Sequence, residues 1–148
     1  MSAGWHASPA TRLLLLGLVL VFAGCASAPM LGKQNRTNSL EASAESYRKL
    51  IRWGYFDEAA KYLRNPDGTP APADLARVAR YRVTAYAVAS SLLADNGKEA
   101  RVVAVIEYYE IDAGVVASLR DQQLWWFDDA DKHWYLASGL PAFGAPAR

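Results

Sequence analysis

Asp95-Asn96-Gly97-Lys98 stands between two apolar-rich runs, 82–93 and 101–112. Asn-Gly suits the positive φ angles of a type I′ turn, which folds two antiparallel strands back on each other. The first run is rich in Val, Thr, Tyr and Ala. In the second, Val102, Ala104, Ile106 and Tyr108 alternate onto one face, the period of a strand with one side in a core. Ala113-Gly114 turns the chain into a third run, 115–127. Asp128-Asp129-Ala130-Asp131 then turns it into a fourth, 132–136. Four successive strands joined by tight turns read as an antiparallel meander.

Upstream of the strands the apolar period changes. Leu40, Ala44, Tyr47, Leu50 and Ile51 recur at three- and four-residue spacing, which is one stripe of an amphipathic helix. Asn38 or Ser39 is placed to cap that helix, and Asn38 with Glu41 approximates a capping box. Gly54 is a suitable left-handed terminator. A shorter helix is expected over 55–63, with Asp57-Glu58 where the helix dipole favours acids. Asn65-Pro66-Asp67-Gly68-Thr69-Pro70 is a loop, and a short helical piece follows over 72–78. No second copy of the helix pair occurs, which excludes a repeat array. The fold class is therefore α+β, with N-terminal helices packed on one face of a curved antiparallel sheet of about four strands.

The start of the chain carries a different signal. Residues 13–23 are almost wholly apolar, preceded by Arg12 and followed by Gly24 and the chain's single cysteine, Cys25. A membrane-spanning helix needs ~20 apolar residues to cross ~30 Å of hydrocarbon. This run is about half that, the length of a signal-peptide hydrophobic region. Phe22-Ala23-Gly24-Cys25 resembles the lipobox of bacterial lipoproteins, with Phe22 in place of the usual Leu. The resemblance implies cleavage between Gly24 and Cys25, a diacylglyceryl group on the Cys25 thiol, and acylation of the new amino terminus. Two or more such chains anchor a protein stably, where one holds only marginally. No other cofactor is expected. Ala26 is not the Asp that retains such lipoproteins at the inner membrane, so the resemblance implies the outer membrane, facing the periplasm.

Residues 26–38 are small and polar without a hydrophobic period, and read as a tether. As a flexible coil it spans roughly 20 Å, and fully extended roughly 45 Å. The expected organisation is a signal over 1–24, lipidated Cys25 and tether through 38, one domain over 39–143, and a tail over 144–148. Lys and Arg number 16 against 15 Asp and Glu, and losing Arg12 with the signal balances the two. That balance excludes the basic excess of a nucleic-acid binder and a polybasic membrane patch. With one cysteine there is no disulfide framework.

Two N-terminal helices meeting at Trp53-Gly54-Tyr55-Phe56-Asp57-Glu58-Ala59-Ala60, then long strands closing with Trp134-Tyr135-Leu136, resemble the NTF2-like (cystatin-like) superfamily. More narrowly, the layout resembles small bacterial lipoproteins of proteobacteria. The superfamily contains ligand-binding modules, assembly factors and a few enzymes, ketosteroid isomerase among them, so the resemblance implies a fold and leaves function open.

Catalytic groups are sparse. The mature chain has one histidine, His133, which alone makes neither a metal site nor a triad and reads as a rim residue. Asp129-Ala130-Asp131 lacks the spacing and terminal Glu of an EF-hand, and reads as a solvated turn. Glu107, Glu110, Asp112 and Asp121 lie on neighbouring strands. One of them beside Tyr108 or Tyr109, with a raised pKa, would imitate a ketosteroid isomerase pocket. A small enzyme with such a Tyr/carboxylate pair is the alternative reading; a non-catalytic binding module is the principal one.

Aromatic placement supports the principal reading. Leu124-Trp125-Trp126-Phe127 puts large rings on both sides of one strand, and Tyr108-Tyr109 does the same on its neighbour. Either the helices cover one face while Leu140-Pro141-Ala142-Phe143 covers part of the other, or one face stays open. Trp and Tyr are enriched at binding hot spots. Tyr108, Tyr109, Trp125, Trp126 and Trp134 are thus the candidate surface for a protein partner or a small apolar ligand.

Overall fold

The computed structural model describes residues 28–145. The signal segment, Gly24, Cys25 and Ala26 lie outside the described residues, as does the end of the tail. The chain separates into two units, Met1–Gln34 and Asn35–Arg148, and the sheet and its core belong to the second.

Four strands form one antiparallel sheet in sequence order: β1 (Tyr81–Leu93), β2 (Glu99–Glu110), β3 (Val116–Asp128) and β4 (His133–Leu136). Three helices precede them, α1 (Ala28–Trp53), α2 (Phe56–Ala60) and α3 (Leu75–Val78). The expected α+β architecture is the observed one. Alternation fixes the inner face. Val102, Ala104, Ile106 and Tyr108 of β2 are buried, as are Gln123, Trp125 and Phe127 of β3 and Trp134 of β4. Leu40, Tyr47 and Ile51 of α1 are buried in the same core, with Ala44 and Leu50 partly covered beside them. The Tyr47 ring meets Trp125 edge-on, with centroids 5.6 Å apart, and so joins α1 to β3.

α1 ends where its sequence says it must. Gly54 has φ +77°; its N–H donates to Ile51 O and the Tyr55 N–H donates to Leu50 O, at 3.2 and 2.9 Å. This crossed pair is the Schellman arrangement, which satisfies carbonyls the helix leaves open.

Three expectations are corrected. α1 begins at Ala28 and not at Ser39, so residues 28–38 are helix where a tether is expected. From Asn35 on, tertiary contacts hold this part of the helix. The Arg36 guanidinium lies 3.5 Å from the centroid of the Phe127 ring and pairs with Asp129 at 2.8 Å. Ser39, proposed as a cap, is inside the helix: its hydroxyl donates to Arg36 O and accepts from Trp134 Nε1, each at 3.0 Å.

The β1–β2 turn is not type I′. Only Gly97 is left-handed, at φ +65°; its N–H donates to Ala94 O at 3.0 Å, and Ala94 N–H donates to Glu99 O at 2.8 Å. The Asn96 carboxamide oxygen accepts from the N–H groups of Lys98 and Glu99. Asn96 thus contributes its side chain to the turn, not a second positive φ.

The C-terminal segment joins the inner core and does not cover the opposite face. The Phe143 ring packs against Phe56, Tyr81 and Tyr108, and Arg77 donates to Phe143 O at 3.2 Å. On the second face, cover is confined to the β4 edge. Leu136 N–H donates to Tyr62 O and Arg64 N–H to Leu136 O, at 2.7 and 3.3 Å. This carries the post-α2 segment along β4, where Arg64 lies 3.9 Å over the Tyr135 ring.

Candidate functional site

The five aromatic residues singled out in the sequence do not make one surface. Trp125, Trp134 and Tyr108 are core residues, which corrects their assignment to a docking face. Each shares the inward parity of its strand. Trp125 sits between Tyr47 and Tyr62, Trp134 against Phe127, and Tyr108 against Tyr81 and Phe143. Trp126 and Tyr109 face the other way and are half-buried. Trp126 stacks obliquely on Tyr135 and donates from Nε1 to Arg64 O at 2.8 Å. Tyr109 pairs in register with Arg82 and Val116 at the far end of the sheet.

On the outward face of the sheet, near the β1–β2 turn, lies a groove of about 330 Å³. Its floor is a cross-strand row: Arg101 of β2 stands opposite Leu92 of β1 and Leu124 of β3. Trp126, opposite Glu99, forms the next row, and Pro66 and Ala137 complete the walls. Leu92 is 68% exposed and Leu124 46% exposed. Ala137 N–H donates to Leu124 O and the Ser138 hydroxyl accepts from Leu124 N–H, at 2.8 and 3.2 Å, so the β4 exit holds the β3 wall in place. The arrangement is apolar with one cation and one carboxylate at its margin. It can hold an apolar group but presents no nucleophile.

A second feature lies on the inner face, where strand parity places polar residues in an apolar row. In β3 the inward positions are Leu119, Asp121, Gln123, Trp125 and Phe127. Gln123 is buried and fully engaged: Nε2 donates to Asp121 at 2.8 Å and to Tyr86 Oη at 2.6 Å, and Oε1 accepts from Trp125 Nε1 at 3.1 Å. The Tyr47 hydroxyl is buried with no hydrogen-bond partner. Burial pushes the Asp121 carboxyl above its ordinary range, against the opposing hydrogen bond from Gln123. Burial, reinforced by the Asp121 charge, pushes both the Tyr47 and Tyr86 hydroxyls up.

The other carboxylates considered with Asp121 are not brought to it. Glu110 pairs with Arg80, while Glu107 and Asp112 are exposed. The sequence offers Asp121 as a candidate; Gln123, Tyr86 and Tyr47 join it only through the fold, although two polar residues at successive inward positions are a readable signal.

The raised Asp121 pKa has a definite sign. A carboxyl that ionises less readily in the folded than in the unfolded chain lowers stability at neutral pH, and that loss disappears as pH falls. Asp121→Asn keeps an acceptor for Gln123 and removes the charge. We expect its melting temperature to exceed the wild type's at pH 7, with the gap closing as pH is lowered through the carboxylate range. Thermal melts at several pH values check this. A variant less stable than wild type at pH 7 contradicts it.

The β3–β4 turn is more than a solvated loop. Asp129 receives Arg36 of α1 and Lys98 of the β1–β2 turn, at 2.8 and 2.6 Å, and these contacts hold its carboxyl down at about 2. Asp131 accepts from Arg64 and from Tyr135 Oη, at 2.7 and 2.8 Å. His133 is held between the Tyr62 and Tyr135 rings. No group of three His, Cys, Asp or Glu side chains is placed to hold a metal among the described residues. No protein-family model matches the sequence, and no curated protein matches it significantly; the site stands on its own residues.

Proposed function

We propose that this chain is a lipid-anchored bacterial envelope protein, held at Cys25 and facing the periplasm from the outer membrane, whose folded domain is a non-catalytic binding module. The observation that carries the binding reading is the outward groove. Leu92 and Leu124 leave apolar surface exposed beside Trp126, with Arg101 between them. Apolar side chains kept uncovered around Arg101, with Glu99 at the end of the groove, suit an apolar ligand, or a partner's apolar side chain, whose negative group Arg101 receives. The lipobox-like Phe22-Ala23-Gly24-Cys25 supports the anchor, and the NTF2-like layout accords with a domain that uses its sheet for recognition.

Anilinonaphthalene sulfonate, an apolar dye with one negative charge, is a suitable probe. We expect saturable binding to the purified protein, weakened about tenfold by Leu124→Asp, since burying a leucine contributes ~1.5–3 kcal/mol. Leu124 is exposed, so the melting temperature should hold nearly constant. Identical titrations for the two proteins sink the groove as the site.

A second reading, a small enzyme with a Tyr/carboxylate pair, draws on one observation: Asp121 and Tyr86 share the Gln123 carboxamide. A carboxylate kept at a cost to stability is a recognised mark of a functional group. The groove favours binding over this alternative because it is open to a ligand and Asp121 is already occupied by Gln123.

A further inference from the structure

The two edges of the sheet are treated differently. β4 is four residues long, and the segment following α2 pairs along it through Leu63 and Leu136. β1, the opposite edge, is thirteen residues long, and residues 87–92 are exposed throughout. Between Arg82 and Asp95 it carries neither a charged residue nor a proline. Proteins ordinarily protect a free edge with charges, prolines, bulges or a covering segment, because unpaired N–H and C=O groups accept another strand. Here only bulges are used, with Thr84 and Ala89 as the extra residues.

The position of the second bulge says what kind of strand fits. Ala89 separates two regular runs of equal length, 85–88 and 90–93, each continuously registered with β2. A straight foreign strand meets a break in register at Ala89. An identical strand turned about a two-fold axis through Ala89 sets run 85–88 against run 90–93, twice over, with the bulges facing each other. Such an interface is isologous and closes on itself. No like charges oppose one another in it, since residues 83–94 carry none. Val88, 49% exposed, and Leu92, 68% exposed, gain cover on opposite faces, and Leu92 also belongs to the floor of the groove.

We propose that β1 pairs antiparallel with β1 of a second copy of this chain about an axis near Ala89, joining two sheets into one and bringing the two grooves to the same outward surface. Pairing of one strand buries less than the ~1,200–2,000 Å² of a stable complex, so the association is concentration-dependent.

Cysteine trapping in intact cells tests the pairing on the full chain. Ala87→Cys, Ala89→Cys and Ser91→Cys are oxidised beside the wild type, whose only cysteine is Cys25, and beside Arg120→Cys in the middle of the sheet. The proposal requires a disulfide-linked homodimer that peaks at Ala89→Cys, the position that meets its own copy at the axis, and is absent from the wild type and from Arg120→Cys. Ala87→Cys and Ser91→Cys combined in one chain face each other across the axis and should trap the same dimer; adding Ala89→Lys to that double variant puts two like charges at the axis. It should cut the trapped dimer about tenfold while leaving the melting temperature unchanged, which separates lost pairing from lost fold. Equal trapping at β1 and Arg120 overturns the proposal, as does cross-linking at β1 to a different protein in place of this chain.

Discussion

Trp134→Ala should lower the stability of the domain by about 3–5 kcal/mol, the range for truncating a large aromatic residue in a close-packed core. Trp134 is fully buried and belongs to the short edge strand, where four residues alone hold little. Its ring stands edge-on to Phe127 with centroids 5.3 Å apart, and Nε1 donates to Ser39 Oγ at 3.0 Å. One side chain therefore ties β4 to β3 and both to α1. Alanine removes the ring, leaves a cavity, and strands the Ser39 hydroxyl's accepted bond. Since domains of this size are stable by ~5–15 kcal/mol in all, the loss is a large share of the total. Trp53, 69% exposed at the end of α1, is the control: Trp53→Ala should fall within about 0.5 kcal/mol of wild type. Urea titration of the two variants measures both, and a Trp134→Ala loss under about 1 kcal/mol contradicts its central place.

The contrast between these tryptophans shows what the sequence made legible. Val102, Ala104, Ile106 and Tyr108 announce their face because the residues between them are less apolar, and the α1 stripe from Leu40 to Ile51 does so by its spacing. Trp125-Trp126 and Trp134-Tyr135 resist such reading, since adjacent large rings satisfy either parity. Register decides: Phe127 opposite Trp134 and Trp126 opposite Tyr135 place one pair inside and the other outside. In sequence, residues 28–38 resemble a tether because nothing local marks them as helix. What holds 35–38 is Arg36 on Phe127 and Asp129, partners more than ninety residues away. The groove is equally remote from local pattern. Leu92, Arg101 and Leu124 look like unremarkable strand residues until pairing sets them in one row. Asp121 and Gln123, by contrast, break an apolar alternation within a single strand, and that break was there to be read.

Cys25→Ser should abolish lipid attachment completely, the largest functional effect expected of any single substitution in this chain. Cys25 is the chain's only thiol, and a hydroxyl at that position does not accept the diacylglyceryl group through a thioether. Two or more acyl chains make attachment to a bilayer effectively stable, at ~0.8 kcal/mol per buried CH₂, so on the proposed lipid-anchored reading losing the acceptor should remove the anchor outright. Among the described residues no helix is long and apolar enough to cross a membrane. On the same reading the serine variant should keep an uncleaved leader, which is apolar over 13–23. Membrane sedimentation is therefore a poor readout, and incorporation of label is the direct one. Cells producing each form are grown with radiolabelled palmitate and the protein is captured. The account predicts label on the wild type and none on Cys25→Ser, together with a larger, unprocessed Cys25→Ser product. Label persisting in Cys25→Ser, or an unlabelled wild type, contradicts it.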